Sequence, residues 1–185
     1  MAELKFKEHK ITGDGGLIKT APTDVLQVKY PSGVEVHLGN ELTPRAVKDE
    51  PTVQWNADGN KLYCLIMTDP DASPEYSEIK HWLVINIPGN NLEEGRVMAA
   101  YRGSGPPLGT GKHRYIFIVY EQAAKIESDE QPIPNTSREG RRNFKVQAFA
   151  EKHNLGSPVA GNFYLAEYDD YVGEMQKQMA AAASS

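Results

Sequence analysis

Alternating apolar and polar positions predict short β-strands in the first third of the chain. Residues 25–30 and residues 34–38 alternate with period two, and Pro31-Ser32-Gly33 separates them. This pattern is typical of a β-hairpin, because turn-forming residues stand between two segments that each present one apolar face. Residues 51–55 and 61–68 are predicted as the next two strands, with a polar, glycine-containing turn between them.

The middle of the chain has two nearly continuous apolar runs, which predict strands buried on both faces. These runs are residues 81–87 and 115–120, and a shorter strand is predicted between them at 97–101. Residues 122–137 are polar and contain prolines, so a long surface loop is expected there.

The last part of the chain combines helix and strand signals. Residues 143–154 have helical spacing of apolar side chains, and residues 163–168 are predicted as a returning strand. A last helix over about 169–182 is expected to begin at Asp169 or Asp170, since an acid at a helix start bonds the unpaired amides. Short connections between strands favour an antiparallel or mixed sheet over alternating βαβ units.

The composition is that of one soluble globular domain over residues 1–185. Hydrophobic residues make up 39% of the 185 residues and charged residues 24%. The net charge of −5 argues against nucleic-acid binding. No apolar run approaches the roughly 20 residues of a membrane span, and the first residues lack the apolar segment of a signal peptide. Cys64 lies in an apolar run and is expected to be buried. As the one cysteine it cannot form an internal disulfide, so a cytoplasmic protein is predicted.

Ionisable side chains stand at the ends of the predicted strands. Asp69 and Asp71 follow the strand at 61–68, while His81 and His113 stand at or just before the two apolar runs. Tyr115 adds a phenol. These groups are expected to meet at one end of one sheet, where they would bind a small charged ligand. A carboxylate beside an imidazole fixes its tautomer and raises its pKa.

The glycine-rich segment 103–111 does not match a nucleotide-binding loop. Leu108 stands where a dinucleotide fingerprint needs its third glycine, and Pro106 and Pro107 lack the amide hydrogens that would bind a pyrophosphate. A Walker A loop would need Ser or Thr at the position of His113. The segment is therefore predicted to be a rigid turn.

Two other chemistries use the same acids and imidazoles. An apolar strand ending in Asp69-Pro70-Asp71 also opens the haloacid-dehalogenase phosphatases, but that chemistry needs a parallel βαβ sheet. A metal site from the two acids with His81 and His113 would need ligand spacing that the chain lacks, since no short-spaced histidine pair is present. No metal or cofactor is expected.

Several motifs together resemble the phosphatidylethanolamine-binding proteins, the family of the Raf kinase inhibitor protein and the plant flowering regulators. They are Asp69-Pro70-Asp71-Ala72, the run beginning His81-Trp82, the segment Tyr101-Arg102-Gly103-Ser104-Gly105-Pro106-Pro107, and Gly109-Thr110-Gly111-Lys112-His113-Arg114-Tyr115. The likeness extends from about residue 20 through 158–161 to 169–172.

The resemblance implies a mainly β fold and an anion-binding pocket. The fold would be a large central antiparallel or mixed sheet packed by a smaller sheet, with helices at the C-terminus. The implied pocket residues are Asp69, Asp71, His81, His113 and Tyr115, with Gly105 and Pro106 at the rim and Gln176 and Met179 of the last helix as a lid. Tyr76, in the loop before His81, is a further candidate ligand-binding residue because it keeps an aromatic ring near the mouth.

The resemblance also implies a role for each pocket residue. His81 and His113 would donate to phosphate oxygens, more strongly when protonated, and Tyr115 would add its hydroxyl. Asp69 would hold an imidazole, while Asp71 would shape the floor or meet an amine. These roles fit a phosphoethanolamine-type or other small anionic ligand.

The chain departs from the family pattern between the acids and His81. The segment 73–80 is several residues shorter than in relatives and lacks their usual arginine and tryptophan. The pocket mouth is therefore expected to be more open. Arg138, Arg141 and Arg142 form a basic patch with two open interpretations: a solvated loop, or contact with an anionic lipid surface or a partner.

No nucleophile with a supporting base is evident, so the protein is not expected to be an enzyme. The resemblance implies a monomeric signalling regulator that modulates a kinase pathway. Inhibition of a serine protease through surface contacts, or simple carriage of phospholipid head groups, are the alternatives. Peripheral membrane contact fits the basic patch, and nucleic acid is not an expected partner.

Overall fold

The structure is a computed structural model that describes residues 2–183, and within them nine strands form two sheets beside three α-helices. The strands are β1 (Asp24–Val25), β2 (Gln27–Lys29), β3 (Asn40–Glu41), β4 (Thr52–Gln54), β5 (Leu62–Asp69), β6 (Ile79–Pro88), β7 (Arg96–Ala99), β8 (His113–Gln122) and β9 (Ala160–Ala166). The helices are α1 (Ala2–Glu8), α2 (Val146–Lys152) and α3 (Asp170–Ala183).

The larger sheet is mixed and the smaller one is antiparallel. The strand order in the larger sheet is β1-β9-β8-β5-β6-β7, with β3 also paired to β9. β1 and β3 run parallel to β9, and the other pairs are antiparallel. β2 and β4 form the second sheet. The predicted fold class, a large mixed sheet packed by a smaller one with helices, is confirmed.

The predicted strands at the centre of the sheet are present, but the second half of the predicted hairpin is wrong. Residues 34–38 return along β2, yet only Glu35 forms a ladder bridge, with Lys29. Leu38 and Gly39 have positive φ angles of 48° and 107°, which end the extended conformation.

A buried amide takes the place of ladder bonds in this segment. Asn162 on β9 donates to the carbonyls of Leu26 and Val36 and accepts from the Leu38 amide. Its side chain therefore satisfies backbone groups that a regular strand would have paired.

Helix boundaries also differ from the sequence pattern. Asn143 has a φ of 58°, so the predicted helix at 143–154 cannot run through it and α2 begins at Val146. The N-terminal helix α1 was not predicted; it buries Phe6, whose ring meets Phe163 edge-on at 5.3 Å. The returning strand begins earlier than predicted, at Ala160, because its pairing with β8 extends as far as Val119.

Apolar residues pack against both faces of the larger sheet. On β5, Leu65 and Met67 face the small sheet, whereas Cys64 and Ile66 face α1 and α2, because successive strand side chains point to opposite faces. Burial on both faces explains the nearly continuous apolar runs. Cys64 is fully buried as predicted, and burial raises the pKa of its thiol.

Antiparallel pairing brings the chemically active strand ends together. β5 ends at Asp69, opposite Ile79 at the start of β6, and β8 begins at His113 beside the same end of β5. Both neighbours of β5 therefore begin where β5 ends. Among residues 2–183, no helix combines the length and apolarity needed to cross a bilayer.

Candidate functional site

A cavity of about 490 Å³ lies at this edge of the larger sheet, and we call it the His113 cavity. Its walls come from the ends of β5, β6 and β8, the loops around residues 72–76, 102–110 and 138–142, and helix α3. The volume is within the range of small-molecule sites.

The ligand-binding residues predicted from the sequence all line this one cavity. They are Asp69, Asp71, Tyr76, His81, Gly105, Pro106, His113 and Tyr115. The structure thus brings together residues that are distant in sequence.

The lid is built differently from the prediction. Gln176 lines the cavity, but Met179 does not, and Met175 lines it instead. Met175 and Met179 share a helix face, and Met179 lies one turn further on. The Met179 sulfur accepts a hydrogen bond from Arg102 Nη2 at 2.9 Å. Met175 also approaches Gly105 so closely that a Cβ at position 105 would lie 2.8 Å from its methyl carbon.

His113 is held by hydrogen bonds at both ring nitrogens. Its Nδ1 lies 2.8 Å from Asp69 Oδ2, and its Nε2 lies 2.9 Å from the Thr110 hydroxyl. That hydroxyl donates its one proton to the Pro107 carbonyl at 2.7 Å, so it accepts from Nε2–H. Because each ring nitrogen faces an acceptor, a carboxylate on one side and a hydroxyl oxygen on the other, both nitrogens can donate, as they do in an imidazolium.

The charge state of His113 follows from competing effects. Burial lowers the pKa of the imidazole, but the hydrogen bond and charge of Asp69, together with the charge of Asp71, outweigh it and raise the pKa above its usual value. Asp69 is itself buried and also accepts from the Asp71 amide. The pairing of Asp69 with an imidazole is as predicted.

His81 is in a different state from the one predicted. Its Nδ1 donates to the Arg102 carbonyl at 2.8 Å, since a carbonyl can only accept. Burial lowers the pKa of His81 to about 4, so the ring is neutral near pH 7 and its Nε2 is an acceptor. The expected donation from His81 to a phosphate is therefore wrong for the neutral ring, which would accept from a ligand hydroxyl.

Asp71 is engaged by Arg114. The carboxylate accepts from Arg114 Nε and Nη2, each at 2.8 Å, and from the Arg114 amide. Burial raises the pKa of Asp71, but these hydrogen bonds and the arginine charge reverse the effect and leave the pKa lowered. An amine-binding role for Asp71 is not supported, because its charge is already compensated.

Tyr115 forms the aromatic floor between the two histidines. Its ring meets His81 edge-on at 5.3 Å, stacks on His113 at 6.3 Å and stacks on Tyr164 at 5.3 Å. Burial raises its pKa well above the usual value, so the phenol keeps its proton. Ser104 and Tyr164 hydrogen-bond through their hydroxyls next to this floor.

Arginines in the cavity wall were missed or misplaced by the sequence reasoning. No sequence pattern points to Arg102 as a pocket residue, and the two interpretations of Arg141, a solvated loop or an outside contact, are both wrong because the side chain is buried. Arg141 is only 2% exposed, and its guanidinium donates to backbone carbonyls of Ser137, Lys80, His81, Ala100 and Pro134. The three arginines within five positions were a visible signal, but only the fold shows that they line the cavity.

The two alternative chemistries find no support in this geometry. β5 runs antiparallel to both neighbours, whereas the phosphatase alternative requires a parallel sheet. Asp69 and Asp71 are each bonded to a cationic side chain. In the part of the chain that the structure describes, no group of three or more His, Cys, Asp and Glu side chains is placed to hold a metal ion.

Comparison with known proteins gives a consistent set of similarities. The family model described as phosphatidylethanolamine-binding protein matches residues 32–164. The 26 kDa secreted antigen of Toxocara canis is 42% identical over 158 residues, which cover 82% of this chain. The matched region is 59% of the antigen, so this chain spans less than two thirds of that protein.

Solved structures share the fold. The solution structure of CG7054 is 49% identical, with a TM-score of 0.71, and the match covers 85% of this chain and 92% of that one. A carboxypeptidase Y inhibitor, crystallised with its cognate proteinase, is 24% identical with a TM-score of 0.72, covering 91% and 95% of the two chains. At that identity the likeness shows the fold alone.

Proposed function

Because the chain belongs to the phosphatidylethanolamine-binding protein family, we propose that the His113 cavity binds a small ligand through a phosphate group. The observation that carries this proposal is the His113 ring, with Asp69 on one nitrogen and an accepting hydroxyl on the other. Hydrogen bonds from a cationic donor to an anionic oxygen are roughly twice as strong as neutral ones.

A phosphate oxygen would accept from His113 Nε2–H in place of Thr110. Thr110 is exposed on its loop, so its hydroxyl can turn and donate to the ligand instead of to Pro107. The Tyr115 phenol is a second candidate donor, since burial keeps it protonated. Gly105 and Pro106 form the rim, and Gln176 and Met175 border the cavity from helix α3.

The proposed recognition is of phosphate and not of an ammonium group. Asp69 is bonded to His113, and Asp71 is bonded to Arg114 in a pair whose side chains are 24% and 28% exposed. A ligand ammonium would therefore have to displace an existing cation from either acid. Glycerol 3-phosphate is expected to bind at least as tightly as phosphoethanolamine.

Calorimetric titration with glycerol 3-phosphate at pH 6.5 tests the proposal. The variant His113→Gln removes the cationic donor, and we expect affinity to fall by about tenfold or more, in line with the loss of one charge-assisted hydrogen bond. His37→Gln is the matched control, because His37 is exposed and remote from the cavity lining. Equal affinity of wild type and His113→Gln would overturn the proposal.

We propose that the protein is a regulator that acts through surface contacts, with modulation of a kinase pathway as the first candidate. Serine protease inhibition is the alternative, and a carboxypeptidase Y inhibitor has the same fold. Simple head-group carriage is the third candidate. Inhibition assays with Raf kinase and carboxypeptidase Y separate them when run with wild type and His113→Gln.

Each outcome of those assays has a distinct meaning. If His113→Gln loses phosphate binding and inhibition together, the cavity controls the regulatory contact. If it loses phosphate binding and keeps inhibition, the contact surface acts independently. Wild-type protein that inhibits neither enzyme while binding phosphate would leave carriage as the function.

We also propose that the ligand is bound and not converted. The buried hydroxyl nearest the floor, Ser104, hydrogen-bonds to the Tyr164 hydroxyl and not to an imidazole. A nucleophile needs an adjacent base. Incubation with phosphate monoesters should therefore release no inorganic phosphate.

The cytoplasm is the compartment we propose, on the basis of the lone buried Cys64. The similar Toxocara canis protein is described as a secreted antigen. Immunoblotting of cell and medium fractions distinguishes the two compartments, and recovery in the medium would overturn this proposal.

A further inference from the structure

Besides the buried Arg141, three arginines line the His113 cavity, and the proposed phosphate contact uses none of them. Arg102 lies in the segment after β7, and Arg138 and Arg142 lie in the loop before α2. All three line the His113 cavity. We call Arg102, Arg138 and Arg142 the arginine wall.

The charges of the arginine wall are not compensated by carboxylates. Within residues 2–183, none of its guanidinium groups lies within 4.0 Å of an acidic side chain, although Arg114 and Arg45 each form such a pair. Arg102 donates to the Met179 sulfur, a weak acceptor. A cavity wall with uncompensated cations attracts anions.

Like charges in the wall also oppose one another. Burial and, to a smaller extent, repulsion by Arg138 together lower the pKa of Arg102 to about 10. Burial and the charge of Arg102 likewise lower the pKa of Arg141 to about 10. An anion placed between these groups would relieve the repulsion, because opposite charge favours the protonated forms.

The loop that carries Arg138 and Arg142 is anchored by contacts within the protein. Arg141 is buried and donates to carbonyls of β6, of the segment after β7 and of its own loop. Arg142 packs over the Tyr76 ring, with 3.8 Å between the guanidinium carbon and the ring centroid. Positioned donors cost less ordering entropy when a ligand binds.

From this arrangement we infer that the arginine wall is a second anion subsite, so that the preferred ligand carries two anionic groups. One group would bind at His113 and the other at the wall. This inference rests on the proposed phosphate binding at His113. Arginine suits such a subsite because its planar donors match phosphate oxygens in pairs. A bisphosphorylated polyol, free or as a lipid head group, is the ligand class.

Calorimetry with inositol 1-phosphate and inositol 1,4-bisphosphate tests the inference directly. Wild type should bind the bisphosphate at least tenfold more tightly. The double variant Arg138→Gln/Arg142→Gln should lose that preference while its affinity for the monophosphate changes less than threefold. Lys7→Gln/Lys125→Gln removes the same charge from exposed positions outside the cavity and should keep the preference.

The outcomes separate this inference from the proposed function. A wild type that binds both inositol phosphates equally, or a double arginine variant that keeps the preference, would overturn the second subsite. If His113→Gln leaves monophosphate affinity unchanged, phosphate binding at His113 fails, and the two-site arrangement fails with it. Loss of monophosphate affinity in His113→Gln, but not in Arg138→Gln/Arg142→Gln, supports separate roles for His113 and the arginine wall.

Vesicle sedimentation distinguishes the two sources of the ligand. Phosphatidylcholine vesicles with phosphatidylinositol 4-phosphate present the bisphosphate head group, and vesicles with phosphatidylinositol present the monophosphate. Selective sedimentation with the former, lost in Arg138→Gln/Arg142→Gln, supports a lipid source. Tight binding of the free bisphosphate without sedimentation supports a soluble one.

Discussion

At the residue scale, the charge of His113 decides what the cavity can bind. The ring has an acceptor at each nitrogen, and its pKa is raised by Asp69 and Asp71 despite burial. The neighbouring His81 is neutral, with its pKa lowered to about 4 by burial. Two imidazoles in one cavity therefore have opposite roles, one as a cationic donor and one as an acceptor.

The pH dependence of binding should follow His113 alone. A raised pKa means that the cationic form is present below that pKa and is lost as pH rises through it, so affinity should fall above the usual imidazole range. His81 should contribute nothing between pH 5.5 and 9. NMR titration with dimethyl phosphate, whose own charge is constant over this range, measures the effect.

Two controls define that experiment. His113→Gln should give weak binding with a flat pH profile, and His81→Gln should keep the wild-type profile shape. The groups that face His113 and could contribute are Asp69, Asp71 and the Tyr115 phenol. A flat wild-type profile from pH 5.5 to 9 would contradict the cationic role.

The roles at this scale were only partly predictable. An imidazole partner for Asp69 could be expected from the places of these residues at strand ends and from the family likeness, but the choice of His113 over His81 could not. The state of His81 depends on the Arg102 carbonyl, 21 positions away, which no local pattern reveals. Likewise, the Asp71–Arg114 pair joins residues 43 positions apart.

At the element scale, the loop before α2 is fixed to the sheet by one buried side chain. Arg141 bonds to carbonyls from β6, from the segment after β7 and from its own loop. These contacts position Arg138 and Arg142 on either side of it. Loss of the guanidinium would remove five hydrogen bonds to backbone carbonyls.

Arg141→Lys should therefore destabilise the protein and loosen this loop. We expect a loss of about 3 kcal/mol in unfolding free energy, since a lysine has fewer donors and cannot match the planar arrangement. Urea unfolding measures the loss, and hydrogen exchange should show faster exchange at 134–142. Arg142→Lys is the exposed neighbouring control; equal stability of the two variants would contradict this account.

Strand positions were predictable where a long apolar run marks the strand. β5, β6 and β8 are apolar on both faces, so their runs are unmistakable. The strand expected at 34–38 failed because an Asn162 side chain, more than 120 positions away, bonds that backbone. Helix α1 was missed because only two of its residues, Ala2 and Phe6, are buried.

At the scale of the whole molecule, both faces of the larger sheet carry buried clusters that share its strands. β5 and β8 contribute side chains to both clusters. Loss of the packing on one face would therefore disturb the strands that support the packing on the other face. We therefore propose that residues 1–185 form a single cooperative domain. We also propose that this domain acts as a monomer.

Thermal unfolding should show one transition by near- and far-ultraviolet circular dichroism. The midpoint should not change with protein concentration, because a monomer gains nothing by mass action. Two separate transitions would contradict the single domain, and a midpoint that rises with concentration would contradict the monomer.

The central claim is that a cationic His113 receives the phosphate of the ligand. The most direct measurement is the pair of His113 ring nitrogen signals by ¹⁵N NMR, with and without glycerol 3-phosphate. We predict that both nitrogens are protonated near pH 7, that Nε2 shifts on phosphate addition, and that the His113 pKa rises further. An unprotonated Nε2 that is unaffected by saturating phosphate would contradict the account.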